Sequence, residues 1–288
     1  MLPTSYLPAA FSLTATGVWG TSDFLGGVGA RRANAFVFTA IVHASGMLIV
    51  AAAALILGLP FPNASSVRWA LIAGCIGGLS LALFYRALAA GQMGLVAPLA
   101  AVLGAGIPTA VSAFTEGFPG ARHLLGFVLA GISVWLISRS EDAPRENTTD
   151  SPRRPRGLGL AMLSGCGFAC FYLCIRQSGE GSALWIAVCS RLASLLVTLA
   201  IVLFARQFSS ISRSVLGIAF AAGILDITGT IVFVRASQLG RLDVPVVLSS
   251  LYPAITVLLA RIFLHEHFSR TRTVGMLAAL AAVPMIAG

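Results

Sequence analysis

Asp226 stands in the run Gly223-Ile224-Leu225-Asp226-Ile227-Thr228-Gly229-Thr230, with apolar stretches on both sides. A carboxylate in such a setting is expensive unless it meets a cation or carries protons. Three roles are open to it: binding a substrate ammonium, proton coupling, or a structural pair with Arg191 or Arg176. A second carboxylate, Asp23, ends the series Ser12, Thr16, Trp19, Asp23, whose steps of 4, 3 and 4 residues put all of them on one helix face. A stripe of this kind must face protein or water. Trp19 can stack on a solute while Thr16 and Ser22 offer hydrogen bonds, or the hydroxyls simply join helices. Further along, Ser164, Phe168 and Tyr172 make a similar face. Tyr85, Ser249, Tyr252 and Thr256 extend the polar-aromatic set, and rings with a polar edge suit amphipathic solutes. Tyr252 can equally be a ring packed beside Pro253 that fixes a kink. Arg191 can hold a substrate carboxylate or a salt bridge, and His43 can titrate near neutral pH or only pack.

Other chemistries fit less well. Cys166, Cys170 and Cys174 recur every fourth residue, which imitates a soft-metal row. No His or acid joins them, so they read as small residues for close helix packing. His265-Glu266-His267 offers neighbours that point to different helix faces, near an interface, so no metal and no other cofactor is expected. All 19 basic residues are arginine, which excludes lysine Schiff bases and a lysine-dependent phosphate loop. The formal charge of +9 is spread singly over helix ends, as interface anchors rather than a nucleic-acid stripe. Without a paired nucleophile and base, an intramembrane enzyme is the remote alternative. Glu116 and Glu266 read as structural, each at a helix start where the dipole favours a carboxylate.

The elements that would position these residues are membrane helices. The chain of 288 residues is 57% hydrophobic and 10% charged, with a mean hydropathy of +0.91; soluble domains carry about 25% charge. Hydrophobic runs predict helices over 7–29, 34–58, 67–89, 94–115, 121–138, 158–177, 183–205, 214–236, 243–264 and 269–287. The opening Met1-Leu2-Pro3-Thr4-Ser5-Tyr6 has no basic segment, so the first run is expected to be a retained helix, not a signal peptide. One polar, Pro- and Arg-rich stretch, 139–157, reads as a linker between units 1–138 and 158–288.

The two units repeat each other at a spacing of 149 residues. Trp19 pairs with Phe168, Phe84-Tyr85-Arg86-Ala87 with Phe233-Val234-Arg235-Ala236, Gly91 with Gly240, and Gly126 with Gly275. Tyr172 falls opposite Asp23 and Gly77 opposite Asp226. Five helices per unit is an odd number, so the second copy enters the membrane from the other side. The expected fold is an all-α membrane protein of about ten transmembrane helices, in two inverted five-helix repeats around a central cavity. Arginine bias, carried mostly by the linker, places the linker in the cytoplasm and both termini outside.

The pattern Phe84-Tyr85-Arg86-Ala87-Leu88, Val96-Ala97-Pro98, Glu116 and Gly126 resembles the EamA-type repeat of the drug/metabolite transporter superfamily. So do Arg235-Ala236, Val244-Pro245, Ser249-Ser250-Leu251-Tyr252-Pro253, Glu266 and Gly275, together with Trp19-Gly20 and Arg191. Two departures stand out: His43 replaces an arginine of the family pattern, and Leu103 stands where the second copy has Pro253. The resemblance implies helices 1–4 and 6–9 around the cavity, with 5 and 10 at the periphery. It also implies a secondary transporter of a bacterial cell inner membrane, most similar to exporters of amino acids, aromatic ones included, or of similar small amphipathic metabolites. A multidrug or sugar/nucleotide-sugar carrier of the same superfamily is the alternative. The expected partners are a small-molecule substrate and the lipid bilayer, with no nucleic acid. Because both copies lie in one chain, a monomer can work alone. No nucleotide-binding motif accompanies them, so ATP is not the expected energy source.

Overall fold

The computed structural model describes residues 6–90, 93–138, 157–264 and 270–287. The regular elements among them are the helices α1 (Leu7–Ala30), α2 (Ala35–Ile56), α3 (Ala64–Ala90), α4 (Met93–Thr115), α5 (Ala121–Ser138) and α6 (Leu158–Gln177). They continue as α7 (Ala183–Phe204), α8 (Arg213–Gln238), α9 (Asp243–Ser249), α10 (Tyr252–Leu264) and α11 (Arg270–Ala287). Linker residues 139–156, Gly91 and the segment His265-Glu266-His267 lie outside the described residues.

Local chemistry sets the ends of these helices. Asn34 caps α2, its side chain accepting from the Phe36 amide at 2.9 Å, and Ser212 caps α8 through the Val215 amide at 3.4 Å. Gly179, at φ +68° just past α6, takes the left-handed conformation that lets a helix stop. The predicted single helix over 243–264 is two, α9 and α10, separated at Ser250 and Leu251. Pro253 explains the break: it lacks an N–H, and its ring collides with the carbonyl four residues earlier, at Ser249. Pro98 and Pro108 lie within α4, which runs on through both.

Among the described residues, seven stretches are long and apolar enough to cross a membrane: α2, α3, Val96–Thr115 of α4, α6, α7, α8 and Asp243–Leu264. The surface is turned inside out relative to a water-soluble protein. Leu55, Ile56, Phe114 and Phe204 are exposed, while Ser12, Thr39, His43, Ser194 and Thr198 are fully buried. Cys166 and Cys170 also face outward, which corrects their reading as residues of close packing. With lipid as the outer solvent this pattern is the stable one, because every polar group must then be satisfied inside. The chain is a multi-pass membrane protein.

Helix α1 lies along α8, α3 against α6 and α7, α2 against α7 and α8, and α5 against α11. Close approach depends on small residues and on hydroxyls that bond across helices. Ser194 of α7 donates to the Gly74 carbonyl of α3 at 2.8 Å, and Thr256 of α10 to the Gly20 carbonyl of α1 at 3.0 Å. A Cβ at Gly20 would stand 2.6 Å from the Tyr252 carbonyl oxygen, so this crossing tolerates only glycine.

The C-terminal ends of α4, α6 and α8 are tied together. Arg241 reaches Asp243 at 2.7 Å and also donates to the carbonyls of Glu116 at 2.9 Å and Gly117 at 2.7 Å. Hydrogen bonding to Asp243 pushes the Arg241 pKa above its ordinary value, so the guanidinium stays charged. Arg176 lies 3.5 Å from Glu116 and donates to the Ser237 carbonyl and to that of Gly240. Gln238 donates to Gly179 and Gly181, each at 3.0 Å. Glu116 therefore follows the end of α4, where the helix dipole opposes a carboxylate, and Arg176 answers its charge. The expected helix-start role is corrected at this residue.

Candidate functional site

A cavity lies among α1, α3, α6, α7, α8 and α10, lined by Trp19, Asp23, Gly77, Leu81, Phe168, Phe171, Tyr172, Arg191, Asp226, Thr230 and Tyr252. The space in it open to water-sized molecules is about 50 Å³, below the roughly 300–1,000 Å³ of small-molecule sites, so a solute of that size requires the walls to part. Eight of the lining residues form four pairs at the 149-residue spacing: Trp19 with Phe168, Asp23 with Tyr172, Gly77 with Asp226, and Leu81 with Thr230. In each pair the more polar member comes from α1 or α8 and the less polar from α3 or α6. Since α1 packs on α8 and α3 on α6, the cavity has one polar wall and one apolar, aromatic wall.

The polar wall is held in place by a small network. The Trp19 indole N–H donates to the Asp226 backbone carbonyl at 3.2 Å, and the Thr230 hydroxyl lies 3.0 Å from the same oxygen. Backbone approach here is tight, for a Cβ on Gly229 would come 2.5 Å from the indole. Arg191 of α7 forms an ion pair with the Asp226 carboxylate at 2.8 Å and donates to the Thr230 hydroxyl. Of the two cations open to Asp226 from the sequence, Arg191 is the partner, and Arg176 turns to Glu116. The guanidinium Nε has no hydrogen-bond partner among the described residues. Asp23 is 7% exposed, and among the described residues no hydrogen bond or ion pair reaches its carboxylate.

Aromatic rings fill the other side. Trp19 stands 6.1 Å from Tyr172 and 5.4 Å from Phe233 between ring centres. Phe84, fully buried behind the lining, meets Phe168 and Tyr252 edge-on at 5.5 and 6.2 Å. The Tyr252 hydroxyl donates to the Ala97 carbonyl of α4 at 3.3 Å, so this ring is both packed beside the α9–α10 break and part of the cavity wall.

Not every residue expected at the site lines it. Thr16 bonds to the Leu248 carbonyl of α9 at 2.7 Å, and Ser22 to the Ala222 carbonyl of α8 at 2.9 Å. These hydroxyls join helices, and the cavity lining does not include them. Tyr85 is fully buried behind the wall, its hydroxyl 3.3 Å from Ser22. Ser249 and His43 are also fully buried and off the lining. Conversely, Gly77, Leu81, Phe171 and Thr230 line the cavity without having been expected as site residues. For Gly77, Leu81 and Thr230 the repeat spacing carries the signal; for Phe171, whose counterpart at that spacing is Ser22, it does not.

Fold and cavity together define a class: a helical multi-pass membrane protein with a small amphipathic cavity within its bundle. Residues 155–288 match the model of the EamA-like transporter family, a family of transporters rather than enzymes, which supports the EamA and drug/metabolite transporter superfamily. Solved structures give 27 matching chains. One of them, a crystal structure, has a TM-score of 0.72 at 18% identity over 96% of this chain and 95% of its own, a likeness of fold alone. No curated protein matches the sequence.

Proposed function

We propose that the chain is a secondary transporter that exports amino acids, aromatic ones included, or similar small amphipathic metabolites. The observation that carries this reading is the two-walled cavity, built from repeat-related residue pairs. A solute with a charged head and an apolar or aromatic tail would place the head at Asp23, Asp226 and Arg191, and the tail against Phe168, Phe171 and Tyr172. Units 1–138 and 158–288 act as inverted five-helix repeats in this proposal, joined by the linker 139–157, and expose the site alternately by rocking. One chain then suffices, in a bacterial inner membrane with the linker cytoplasmic.

The test is flux of a radiolabelled amino-acid panel through purified protein in liposomes, at equal and unequal pH. Uptake above empty liposomes, competed by aromatic amino acids, is the expected result. Trp19→Ala and Asp226→Asn should lower it while the protein stays folded and extractable in detergent. Folded protein that moves no amino acid would overturn the proposed substrate and direct the panel to drugs and sugars.

A further inference from the structure

We infer that Asp23 accepts the ammonium of the solute, and that this ammonium, not a carboxylate, is the group a ligand must carry. The inference rests on the cavity being the substrate site, and it names the charge that site selects. Three formal charges meet in the cavity, on Asp23, Asp226 and Arg191. The charge of Arg191 is already balanced by Asp226, and the same Nη2 that forms this ion pair donates to Thr230, so a substrate carboxylate would have to share a guanidinium that is already neutralised. Asp23 is buried, faces the cavity and has no partner among the described residues.

Charge balance points the same way. With all three groups ionised the cavity carries one excess negative charge. A monocation cancels it, a zwitterion leaves it in place, and an anion doubles it. An uncompensated charge out of water is penalised heavily, so a cationic nitrogen is the complement this pocket lacks. The surroundings suit it: Trp19 lies one helical turn from Asp23 on the same face, and Tyr172 lies across from it at 6.1 Å from the indole. Ring faces attract ammonium groups. Asp226 is the weaker acceptor, because its charge is already balanced by Arg191.

The experiment compares three ligands that differ only in head group: phenylalanine, phenethylamine, which lacks the carboxylate, and 3-phenylpropionate, which lacks the amine. Binding to the purified full chain in detergent is measured by calorimetry, and flux in liposomes in parallel. Expected is saturable binding of phenylalanine and phenethylamine, with 3-phenylpropionate weaker by about tenfold or more, the scale of one hydrogen bond to a charged group. Asp23→Asn should weaken both amine-bearing ligands by a similar factor, and Asp23→Glu should restore them. Equal affinity for 3-phenylpropionate and phenylalanine, or Asp23→Asn protein that binds phenethylamine like wild type, would overturn the inference. The comparison on wild-type protein decides the matter even if the Asn variant fails to fold. Flux of phenylalanine with no preference for the amine would leave the transporter reading standing, whereas no flux of any head group would remove that reading itself.

Discussion

The wall that α1 and α8 give to the cavity and the wall that α3 and α6 give it occupy equivalent places in the repeat, yet their chemistry is opposite. At equivalent positions the first wall has Trp19, Asp23, Asp226 and Thr230, and the second Phe168, Tyr172, Gly77 and Leu81. The 149-residue spacing places four pairs of side chains at matching positions on the two sides. The four differences make one side polar and the other apolar, which are the head-group and tail sites of the proposed transporter. Neither wall comes from one half of the sequence, since α1 packs on α8 and α3 on α6.

The polar wall should be the fragile one. Asp226→Leu strands Arg191 in the bundle, and removing one member of a buried pair destabilises by about 3–5 kcal/mol. Thermal unfolding in detergent should show that loss. Asp226→Leu combined with Arg191→Met should recover most of the stability but not the flux. On the apolar wall the expected damage is steric. A Cβ on Gly77 would sit 2.7 Å from the Phe171 ring, so Gly77→Val should destabilise by about 1–3 kcal/mol through overpacking. Its flux defect should be graded by solute size, worst for aromatic amino acids.

A smaller effect sharpens the contrast within one repeat pair. Trp19→Phe makes the polar wall resemble its counterpart at Phe168 and removes the hydrogen bond to the Asp226 carbonyl. The expected loss is about 0.5–1.5 kcal/mol, seen as a modest rise in the apparent KM with the preference for amine-bearing solutes intact. Smallest of all is a change outside both walls. Cys166→Ala and Cys170→Ala, on the outer face of α6, should stay within about 0.5 kcal/mol of wild type and leave flux unaltered. A large loss there would mean that the outer face of α6 also serves the site.

Much of the fold was legible because lipid enforces simple rules. Apolar runs of the right length are helices, and the predicted segments 121–138 and 158–177 coincide with α5 and α6. The charged and aromatic lining was legible too. Trp19, Asp23, Phe168, Tyr172, Arg191, Asp226 and Tyr252 stood out because a polar or ring-bearing group in an apolar run needs a reason. Hydroxyls did not sort themselves. Thr16 and Ser22 bond to carbonyls of neighbouring helices at 2.7 and 2.9 Å, and a hydroxyl that faces a cavity has the same helical spacing as one that faces a carbonyl. Gly77 and Leu81 were hidden for the opposite reason: in an apolar chain an apolar lining residue has no signature except its place opposite Asp226 and Thr230 in the repeat. A kink at Pro253 was open from the sequence, but a full break into two helices was not, because Pro98 and Pro108 show that a helix of this chain can also run on through proline.

The ties among the ends of α4, α6 and α8 have a mechanical consequence. Arg241 binds two carbonyls of the α4–α5 turn, Glu116 of that turn faces Arg176 at the end of α6, and Arg176 in turn grips the α8–α9 loop. Each of these segments is tied to another, so in the rocking motion of the proposed transporter this end of the bundle would part as a unit. The guanidinium groups of Arg176 and Arg241 are partly exposed, with 36% of each side chain open, and salt at about 0.15 M already screens such charges over about 8 Å. The ionic strength on that side of the membrane therefore sets the stiffness of the latch, while the Arg191–Asp226 pair, deep in the bundle, is insulated from it.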